Sequence, residues 1–528
     1  MEPKRILRSV GIISAFTMFS RFLGLARDVL MAGFFGTTLP MSAFVVAFTI
    51  PNLFRRLFGE GALSAAFVPV LVETREKEGP EQAWKLSNKV LTLTGLVLVV
   101  ITALVILGAS AGLLLPGLSD KTALTLSLLR IMMPYMIFIC LAAVSMGILN
   151  SLHHFAVSSF APAILNVCWI VAIVVVVPRF GNSPEEKIYA VAWAVLLAGF
   201  LQWAVQWPVL ARFGWKPKFY PELFQGPEKN PRIRKIMLLM GPAALGMAVS
   251  QVNVMVDRLL AIWISPAAPA ALFFSERLIY FPLGIFATAL GTVLLPVFSK
   301  HAANNNHEEI RLTVSRSLKQ LFYVMLPAAL GLLVLATPVV QMIFEWKTFD
   351  ASSTWMTAIA LQCYAPGLVV FSLAKIFVPA FYAMQDTRTP VRIAIYAVLL
   401  NLVLNITFIL TLPQAVKHAG IAAATVIAEG FAAVSLALIL QKRIGKPDWS
   451  GVGRGVLRYL LAAIVMCVVV VWTRGWIFQT LENLVSGKFA QIGAVVGAVI
   501  AGMIVYLIAS ILLCRREAAQ VFKAVLRR

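Results

Sequence analysis

Long apolar stretches, separated by short polar connections, follow one another along the whole chain. An α-helix needs about 20 mostly apolar residues to cross a bilayer core of ~30 Å, and fourteen stretches meet this length. Their approximate centres are residues 20, 55, 101, 137, 168, 199, 249, 284, 324, 369, 400, 429, 465 and 500. The pattern predicts an all-α polytopic membrane protein with 14 transmembrane helices.

A faint internal repeat groups the first twelve of these spans into two sets of six. When the two halves of the chain are aligned, Pro134, Pro162 and Asn166 correspond to Pro366, Pro390 and Asn401. Because six is even, the two lobes share one orientation, and the repeat predicts two parallel six-helix lobes around a central cavity. The predicted regions are an N-lobe (1–211), a basic cytoplasmic linker (212–234), a C-lobe (235–441) and a C-terminal helix pair with a basic tail (442–528).

Lysine and arginine are concentrated in alternate loops, which sets the predicted orientation. The net charge of +22 would indicate a nucleic-acid partner in a soluble protein, but 60% hydrophobic residues and a mean hydropathy of +0.87 exclude a soluble domain. The positive-inside rule places the basic loops and both termini in the cytoplasm. The N-terminus is predicted to be a retained first span and not a signal peptide, because no small-residue cleavage site follows it.

Two sequence segments place charge inside apolar runs. The first, SRFLGLARD, carries Arg21 and Arg27, and the second, PNLFRRLFGEGALSAAFVP, carries Arg55 and Arg56. An arginine at the bilayer centre costs about 2.5–3.5 kcal/mol on insertion scales, so these residues need a cavity or a partner. Since guanidinium groups bind phosphate oxygens in pairs, the segments predict a cationic pocket for an anionic cargo. The alternative is that these arginines lie at span ends and snorkel to the membrane surface.

Charged residues beside the arginines are candidate partners with a supporting role. Asp28, for example, follows Arg27 directly. Such pairs lower the cost of placing charge in a membrane, so part of the set has a structural explanation. The predicted supporting charge partners are Asp28, Arg56, Glu60, Asp257, Arg258 and Glu276.

Polar groups in the predicted C-lobe form a candidate coupling-ion site. Asn401 and Asn405 are one helical turn apart in one span, and Thr425 lies in the next. Their oxygens, together with those of Asp257, are of the kind that binds Na⁺. The alternative is that these groups make hydrogen bonds between helices.

The sequence contains no recognisable motif for catalysis or metal binding. The five cysteines lie in or beside apolar stretches without CxxC or Cys/His spacing. A P-loop, an HExxH motif and a nucleophile elbow are also missing from the sequence. We therefore predict no metal site, no cofactor and no enzyme activity.

Five segments form a specific combination of motifs across the twelve-span body. They are SRFLGLARD (20–28), PNLFRRLFGEGALSAAFVPV (51–70), GILNSLHHFAVSSFAPAILN (147–166), ERLIYFPLGIFATALGTVLLPVFSK (276–300) and FYAMQDTRTP (381–390). This combination resembles the MurJ/MviN family of bacterial lipid II flippases. The resemblance implies two lobes around a V-shaped cavity, two added helices that form a hydrophobic groove, and a location in the inner membrane.

The resemblance also implies a cargo and a site. The cargo is lipid II, which has a pyrophosphate, a disaccharide-pentapeptide head and an undecaprenyl tail, and which moves from the inner to the outer leaflet for peptidoglycan synthesis. Arg21, Arg27, Arg55 and Arg277 match the residues of the family's cationic cavity. The expected mechanism is alternating access driven by Na⁺ or by the membrane potential. Membrane lipids and cell-wall synthesis enzymes are the other expected partners.

Other functions predict different features. A polysaccharide-repeat lipid flippase shares the polyprenyl pyrophosphate and differs only in the sugar. A MATE-like multidrug antiporter would have a cavity led by acidic and aromatic groups, whereas the intramembrane charge in this sequence is mainly cationic. A membrane scaffold for cell-wall enzymes would leave the intramembrane arginines without a role.

Overall fold

Helices make up almost all of the chain. The computed structural model describes residues 3–59, 62–225, 230–485 and 487–513. Within these residues the secondary structure is helical and contains no strand, which confirms the predicted all-α class. The chain forms two compact units, Met1–Pro269 and Ala270–Arg528.

The helices of the first unit include four shorter non-α turns. The α-helices are α1 (Pro3–Phe35), α2 (Leu39–Phe54), α3 (Ala62–Glu78), α4 (Pro80–Leu113), α5 (Asp120–Met132), α6 (Tyr135–Ser151), α7 (Ala156–Val171), α8 (Pro184–Ala204), α9 (Trp207–Arg212) and α10 (Pro231–Ile264). The shorter turns are the π-helical turn Arg55–Gly59, called the π-segment below, a second π-helical turn at Ala172–Val176, and 3₁₀ turns at Val177–Arg179 and Pro221–Gln225.

The rest of the described chain is α-helical. The helices are α11 (Ala268–Ala303), α12 (His307–Val334), α13 (Ala336–Phe344), α14 (Ala351–Tyr364), α15 (Gly367–Ala383), α16 (Arg388–Thr411), α17 (Lys417–Ile444), α18 (Trp449–Glu482) and α19 (Gly487–Leu513).

The described helices are sufficient for at least eleven membrane spans. Eleven helical stretches are long and apolar enough to cross a membrane, and the count is twelve if α14 and α15, which meet at 41°, form one bent span. The predicted first and second spans, which correspond to α1 and to α2 with α3, are not in this set. A described helix covers every predicted span centre. The number fourteen nevertheless stays a prediction.

The predicted basic linker (212–234) is held against α4 where the structure describes it. Glu222 lies 3.1 Å from Lys85 Nζ and 3.2 Å from Lys89 Nζ. Lys89 also donates to Asn230 Oδ1 at 2.8 Å, immediately before α10 begins. These contacts attach the linker to the beginning of α4. The same part of α4 packs in an apolar core with α3 and α6.

The two compact units do not coincide with the predicted lobes. The repeat assigns α10 to the C-lobe (235–441), but α10 packs against α2, the π-segment and α3 of the first unit. The boundary between the compact units therefore lies after α10, at Pro269, and not in the linker. The predicted lobes describe which helices repeat, and their assignment stays a prediction.

The C-terminal helices α18 and α19 pack closely on each other and on α12. Three tyrosines stabilise this contact from different helices. Tyr506 donates to the backbone carbonyl of Tyr323 at 2.7 Å, and the Tyr323 hydroxyl lies 2.7 Å from Ser510 Oγ. The ring of Tyr459 packs edge-on against Tyr323, with 5.5 Å between ring centroids. This buried cluster fixes the helix pair to α12.

Small residues allow the close approach of α18 and α19. A Cβ atom at Gly502 would lie 2.5 Å from Val470 Cγ2, which is too close for a real contact. We expect Gly502→Ala to lower the free energy of unfolding by about 1–3 kcal/mol, because added volume in a packed interface forces the helices apart. The matched control is Gly475→Ala, since a Cβ at Gly475 meets no atom within 4 Å. Denaturant unfolding in detergent would contradict the interpretation if both variants had the stability of the parent.

Asp448 caps the start of α18 and connects it to α12. Its carboxylate accepts from the backbone N–H of Gly451 at 2.9 Å and from Lys319 Nζ at 3.0 Å. These hydrogen bonds, with Gly451 first, lower the pKa of Asp448 from 3.8 to about 2. A carboxyl group with a lowered pKa stabilises the fold only while it is ionised.

The stability supplied by this cap is expected to depend on acid pH. It should be fully present above the ordinary pKa of 3.8 and should be lost as the pH falls toward about 2. We expect Asp448→Ala to cost about 0.5–2 kcal/mol at neutral pH and Asp448→Asn to cost less, because an amide oxygen can still accept from Gly451. Thermal unfolding from pH 7 to pH 2 measures both effects. Equal pH profiles for Asp448→Ala and the parent would show that the cap contributes nothing.

Candidate functional site

The span that carries Arg55 and Arg56 changes helix type where these arginines begin. Pro51 in α2 has no N–H to donate to the preceding turn. From Arg55 to Gly59 the backbone forms the wide turn of the π-segment, a geometry that occurs often at functional sites. The π-segment begins four residues after Pro51 and ends at Gly59.

The two adjacent arginines of the π-segment have different surroundings. Arg55 is half-buried, and its Nε donates to Asn52 Oδ1 at 2.8 Å, one turn earlier in α2. Arg56 is exposed, and its Nη1 lies 3.4 Å from Gln251 Oε1 of α10. Arg55 is thus oriented by its own helix, whereas Arg56 reaches a helix distant in sequence. Glu60, the predicted partner of Arg56, lies outside the described residues.

Arg27 lies in a buried hydrogen-bonded network between α1 and α7. Its Nε and Nη2 donate to Asp28 Oδ1 at 3.0 and 2.7 Å, and its Nη1 donates to Asn166 Oδ1 at 3.0 Å. Arg27 is only 8% exposed and Asp28 only 3%. Asn166 in turn donates to the backbone carbonyl of Ser20 at 3.0 Å. The network therefore joins two turns of α1 to one asparagine of α7.

The guanidinium of Arg27 also stacks on an aromatic ring. Its Cζ lies 4.5 Å from the ring centroid of Trp169, a residue that is 1% exposed. Trp169 packs edge-on against Phe44 and Phe48 of α2, with 5.2 and 5.5 Å between ring centroids. A cation over the face of tryptophan is attracted by the ring quadrupole. Arg27 of α1 therefore stacks on a tryptophan of α7 that in turn packs on α2.

Arg21 has a more open environment than Arg27. It lies six residues earlier in α1, about 9 Å along the helix axis, and is exposed. Six residues do not return to the same helical face, so Arg27 meets α7 while Arg21 points elsewhere. Of the predicted cationic residues in the first unit, Arg21 and Arg55 are therefore more accessible than Arg27.

Asp257 and Arg258 lie near the end of α10. Arg258 is 5% exposed, and its Nη1 donates to the backbone carbonyl of Pro269 at 3.3 Å. Asp257 is half-buried. Arg258 therefore fixes the short connection that leads from α10 into α11, which is a structural role.

Glu276 and Arg277 lie near the start of α11, in the second unit. The guanidinium of Arg277 stacks on Phe273, with Cζ 4.4 Å from the ring centroid. Glu276 accepts a hydrogen bond from the hydroxyl of Tyr364 in α14 at 3.2 Å. Both residues are half-buried. These two neighbouring side chains therefore have different contacts. Arg277 stacks on an aromatic ring, and Glu276 bonds to a tyrosine hydroxyl.

The predicted coupling-ion residues form a chain of hydrogen bonds between α16 and α17. Asn405 Nδ2 donates to Asn401 Oδ1 at 2.7 Å, and Asn401 Nδ2 donates to Thr425 Oγ1 at 3.2 Å. Both asparagines are buried. This geometry is the interhelical hydrogen bonding that the sequence offers as the alternative to an ion site. Asp257 belongs to the other compact unit.

Several partners of the charged residues were not predicted from the sequence. They are Asn52, Asn166, Trp169, Gln251, Phe273 and Tyr364. The repeat gives one signal, because it aligns Asn166 with Asn401 and both asparagines are buried and bonded to a neighbouring helix. Among the described residues, no group of three or more His, Cys, Asp or Glu side chains is arranged to hold a metal ion.

Comparison with known sequences finds one family over most of the chain. Residues 31–494 match the family model described as lipid II flippase MurJ. The lipid II flippase MurJ of Burkholderia cenocepacia is 34% identical over 477 residues, which cover 88% of this chain and 90% of the relative. The probable lipid II flippase MurJ of Vibrio cholerae is 36% identical over 419 residues, which cover 77% of this chain and 78% of the relative.

Comparison with solved structures finds the same fold. A structure titled as lipid II flippase MurJ in the inward closed conformation matches with a TM-score of 0.74 and 24% identity, over 95% of this chain and 98% of the other. An inward-facing multidrug resistance MATE transporter of the MOP superfamily matches with a TM-score of 0.67 and 15% identity, over 84% of this chain and 99% of the other. At these identities the structural matches show the fold alone.

Proposed function

Because the chain belongs to the lipid II flippase MurJ family, we propose that it moves lipid II from the inner to the outer leaflet of the bacterial cytoplasmic membrane. The family match over residues 31–494 is the observation that carries this proposal. The apolar helices agree with it, since at least eleven are suited to crossing a membrane. Both chain termini are proposed to lie in the cytoplasm, because the basic loops alternate as the positive-inside rule requires.

The proposed cargo site is cationic, because the lipid head carries a pyrophosphate. Arg21, Arg55 and Arg277 are proposed to bind phosphate oxygens, which suit the planar fork of a guanidinium. Arg27 is proposed to join them only when its network rearranges, since its donors are engaged by Asp28 and Asn166. The undecaprenyl tail would remain in the lipid during transport. Binding can drive movement only if the head makes better contacts in the occluded state than in the open state.

Net transport of the cargo in one direction requires an energy source in addition to cargo binding. A potential of 100 mV is worth about 2.3 kcal/mol per elementary charge moved, so an inside-negative potential would favour outward movement of an anionic head. A Na⁺ gradient is a second proposed source, with the oxygens of Asn401, Asn405 and Thr425 as its ligands once the hydrogen bonds among them open. Replacing Na⁺ by choline at constant ionic strength tests the second source, because only a Na⁺-coupled protein would slow.

The other proposed partners follow from the cargo. Membrane lipids surround the apolar helices, and cell-wall synthesis enzymes would supply lipid II inside and consume it outside. No nucleic acid is proposed as a partner, because the positive charge is explained by membrane orientation. We expect transport without enzyme activity.

The proposal is tested by reconstitution with fluorescent lipid II. Purified protein in vesicles should expose lipid II to an impermeant quencher faster than empty vesicles do. Native mass spectrometry should show lipid II bound to the parent and lost from an Arg21→Ala, Arg55→Ala variant. Arg179→Ala is the matched control, since Arg179 is exposed and bonds only within its own turn in the described contacts. Transport of organic cations or of polysaccharide-repeat lipids, without transport of lipid II, would overturn the proposal.

A further inference from the structure

Two ion pairs join the polar end of α3 to the beginning of α10. Lys235 Nζ lies 2.7 Å from Glu73 Oε2, and Arg232 pairs with Glu78. The same Glu73 carboxylate also pairs with Lys77 of its own helix, at 2.9 Å. Glu73 therefore has one partner within α3 and one in α10.

The first turns of α10 are held in the core of α3, α4 and α6 by Ile233 and Ile236, whereas its apolar part, Gly246–Ile264, is little buried. Only 11% of the residues in the apolar part of α10 are buried, against 22–67% in the other ten candidate spans of the described chain. Little apolar area therefore holds the part of α10 after residue 246. The contacts that fix α10 to α3 are concentrated at its first turns, where the two ion pairs lie beside the buried Ile233 and Ile236.

The internal repeat assigns the two sides of these contacts to different predicted regions of the chain. It assigns α3 to the N-lobe and α10 from residue 235 onward to the C-lobe, so the Glu73–Lys235 pair joins segments that alternating access would move relative to one another, and the Glu78–Arg232 pair lies beside it at the end of the linker. Both helices meet at the predicted cytoplasmic side, where the basic linker enters α10. Contacts between the lobes on that side must break before a cargo can enter from the cytoplasm.

We propose that Glu73, Glu78, Arg232 and Lys235 form an ionic latch that holds the cytoplasmic ends of α3 and α10 together and opens during transport. The inference rests on the proposed function, because alternating access supplies the motion that opens the latch. All four side chains are 36–52% exposed, so water competes for each ion pair. Exposed pairs are weak, which suits a contact that must open and close in every cycle.

The latch is not a pH switch in the physiological range. Hydrogen bonds from Lys235 and then Lys77 lower the pKa of Glu73 from 4.5 to about 2. The carboxylate therefore stays ionised well below neutral pH, and cargo or ion binding has to open the latch instead.

Distances between spin labels at positions 76 and 234 test the latch directly. Glu76 and Arg234 are exposed, lie beside the latch on α3 and α10, and can be replaced by labelled cysteines in a background without native cysteines. Glu73→Lys should increase the population of long distances by about two- to fivefold, the factor that one exposed ion pair supplies. The double variant Glu73→Lys, Lys235→Glu restores opposite charges and should return the distances to those of the parent.

A matched control separates the latch from general effects of charge. Lys77→Gln removes the other partner of Glu73 but leaves the contact with Lys235, so the distances should not change. The latch is overturned if Glu73→Lys leaves the distances unchanged, or if the double variant opens as far as the single one. These distances do not depend on the cargo. A response to charge reversal in a protein that fails to flip lipid II would keep the latch and reject the proposed function.

Discussion

Replacing Arg27 with alanine is expected to lower the free energy of unfolding by about 3–5 kcal/mol, the cost of removing one partner from a buried ion pair. Asp28 would be left as a carboxylate that is 3% exposed and has lost the two hydrogen bonds from Nε and Nη2 of Arg27. Asn166 would lose its contact with Arg27, and Trp169 would lose the cation over its ring. Denaturant unfolding in detergent micelles measures the loss.

A double replacement identifies the source of this instability. Arg27→Met with Asp28→Asn removes both charges and retains much of the side-chain volume, so it should recover part of the stability lost in Arg27→Ala. Arg179→Ala should have nearly the stability of the parent, because Arg179 is exposed. If Arg27→Ala unfolds like the parent, the network does not stabilise the packing of α1 on α7.

This expectation changes how a loss of transport at Arg27 is interpreted. The sequence predicts Arg27 as a binding residue, whereas the structure places it in a network between helices. An inactive Arg27→Ala variant would be expected from instability alone. Only variants with the stability of the parent can assign a residue to the cargo site.

The helices could be predicted from the sequence because their signal is local. An apolar stretch of about 20 residues has few stable structures other than a helix in a membrane, whatever its neighbours are. The charged residues in α1 and in the π-segment could be identified from the sequence for the same reason. Their energetic cost depends on the residue and its depth in the membrane, not on a particular partner.

The partners of these charges could not be predicted, because they depend on packing between distant segments. Asn166 is 139 positions from Arg27, and Gln251 is 195 positions from Arg56. Neither partner is charged, so charge pairing in the sequence does not find it. The packing of α10 on α3 is a second example, since an internal repeat shows which helices correspond but not which helices touch in one conformation.

Replacing Arg55 with alanine is expected to slow lipid II flipping by about 10- to 150-fold. A hydrogen bond to a charged group contributes about 1.5–3 kcal/mol, and 1.4 kcal/mol is a factor of ten. The initial rate of flipping in vesicles, at a lipid II concentration far below saturation, measures this loss. Arg55→Lys should have an intermediate rate, because an ammonium retains the charge but cannot bind two phosphate oxygens as a planar fork.

The free energy of unfolding distinguishes the expected effect of replacing Arg55 from that of replacing Arg27. Arg55 is half-buried and bonds to Asn52 within its own helical turn, so Arg55→Ala should lose much less stability than Arg27→Ala. Asn52→Ala removes the acceptor that orients Arg55 but keeps its charge, and it should slow flipping less than Arg55→Ala does. A parent-like flipping rate for Arg55→Ala would remove Arg55 from the cargo site. A slow rate with parent-like stability would assign Arg55 to the cargo, since a folded protein would then fail only in transport.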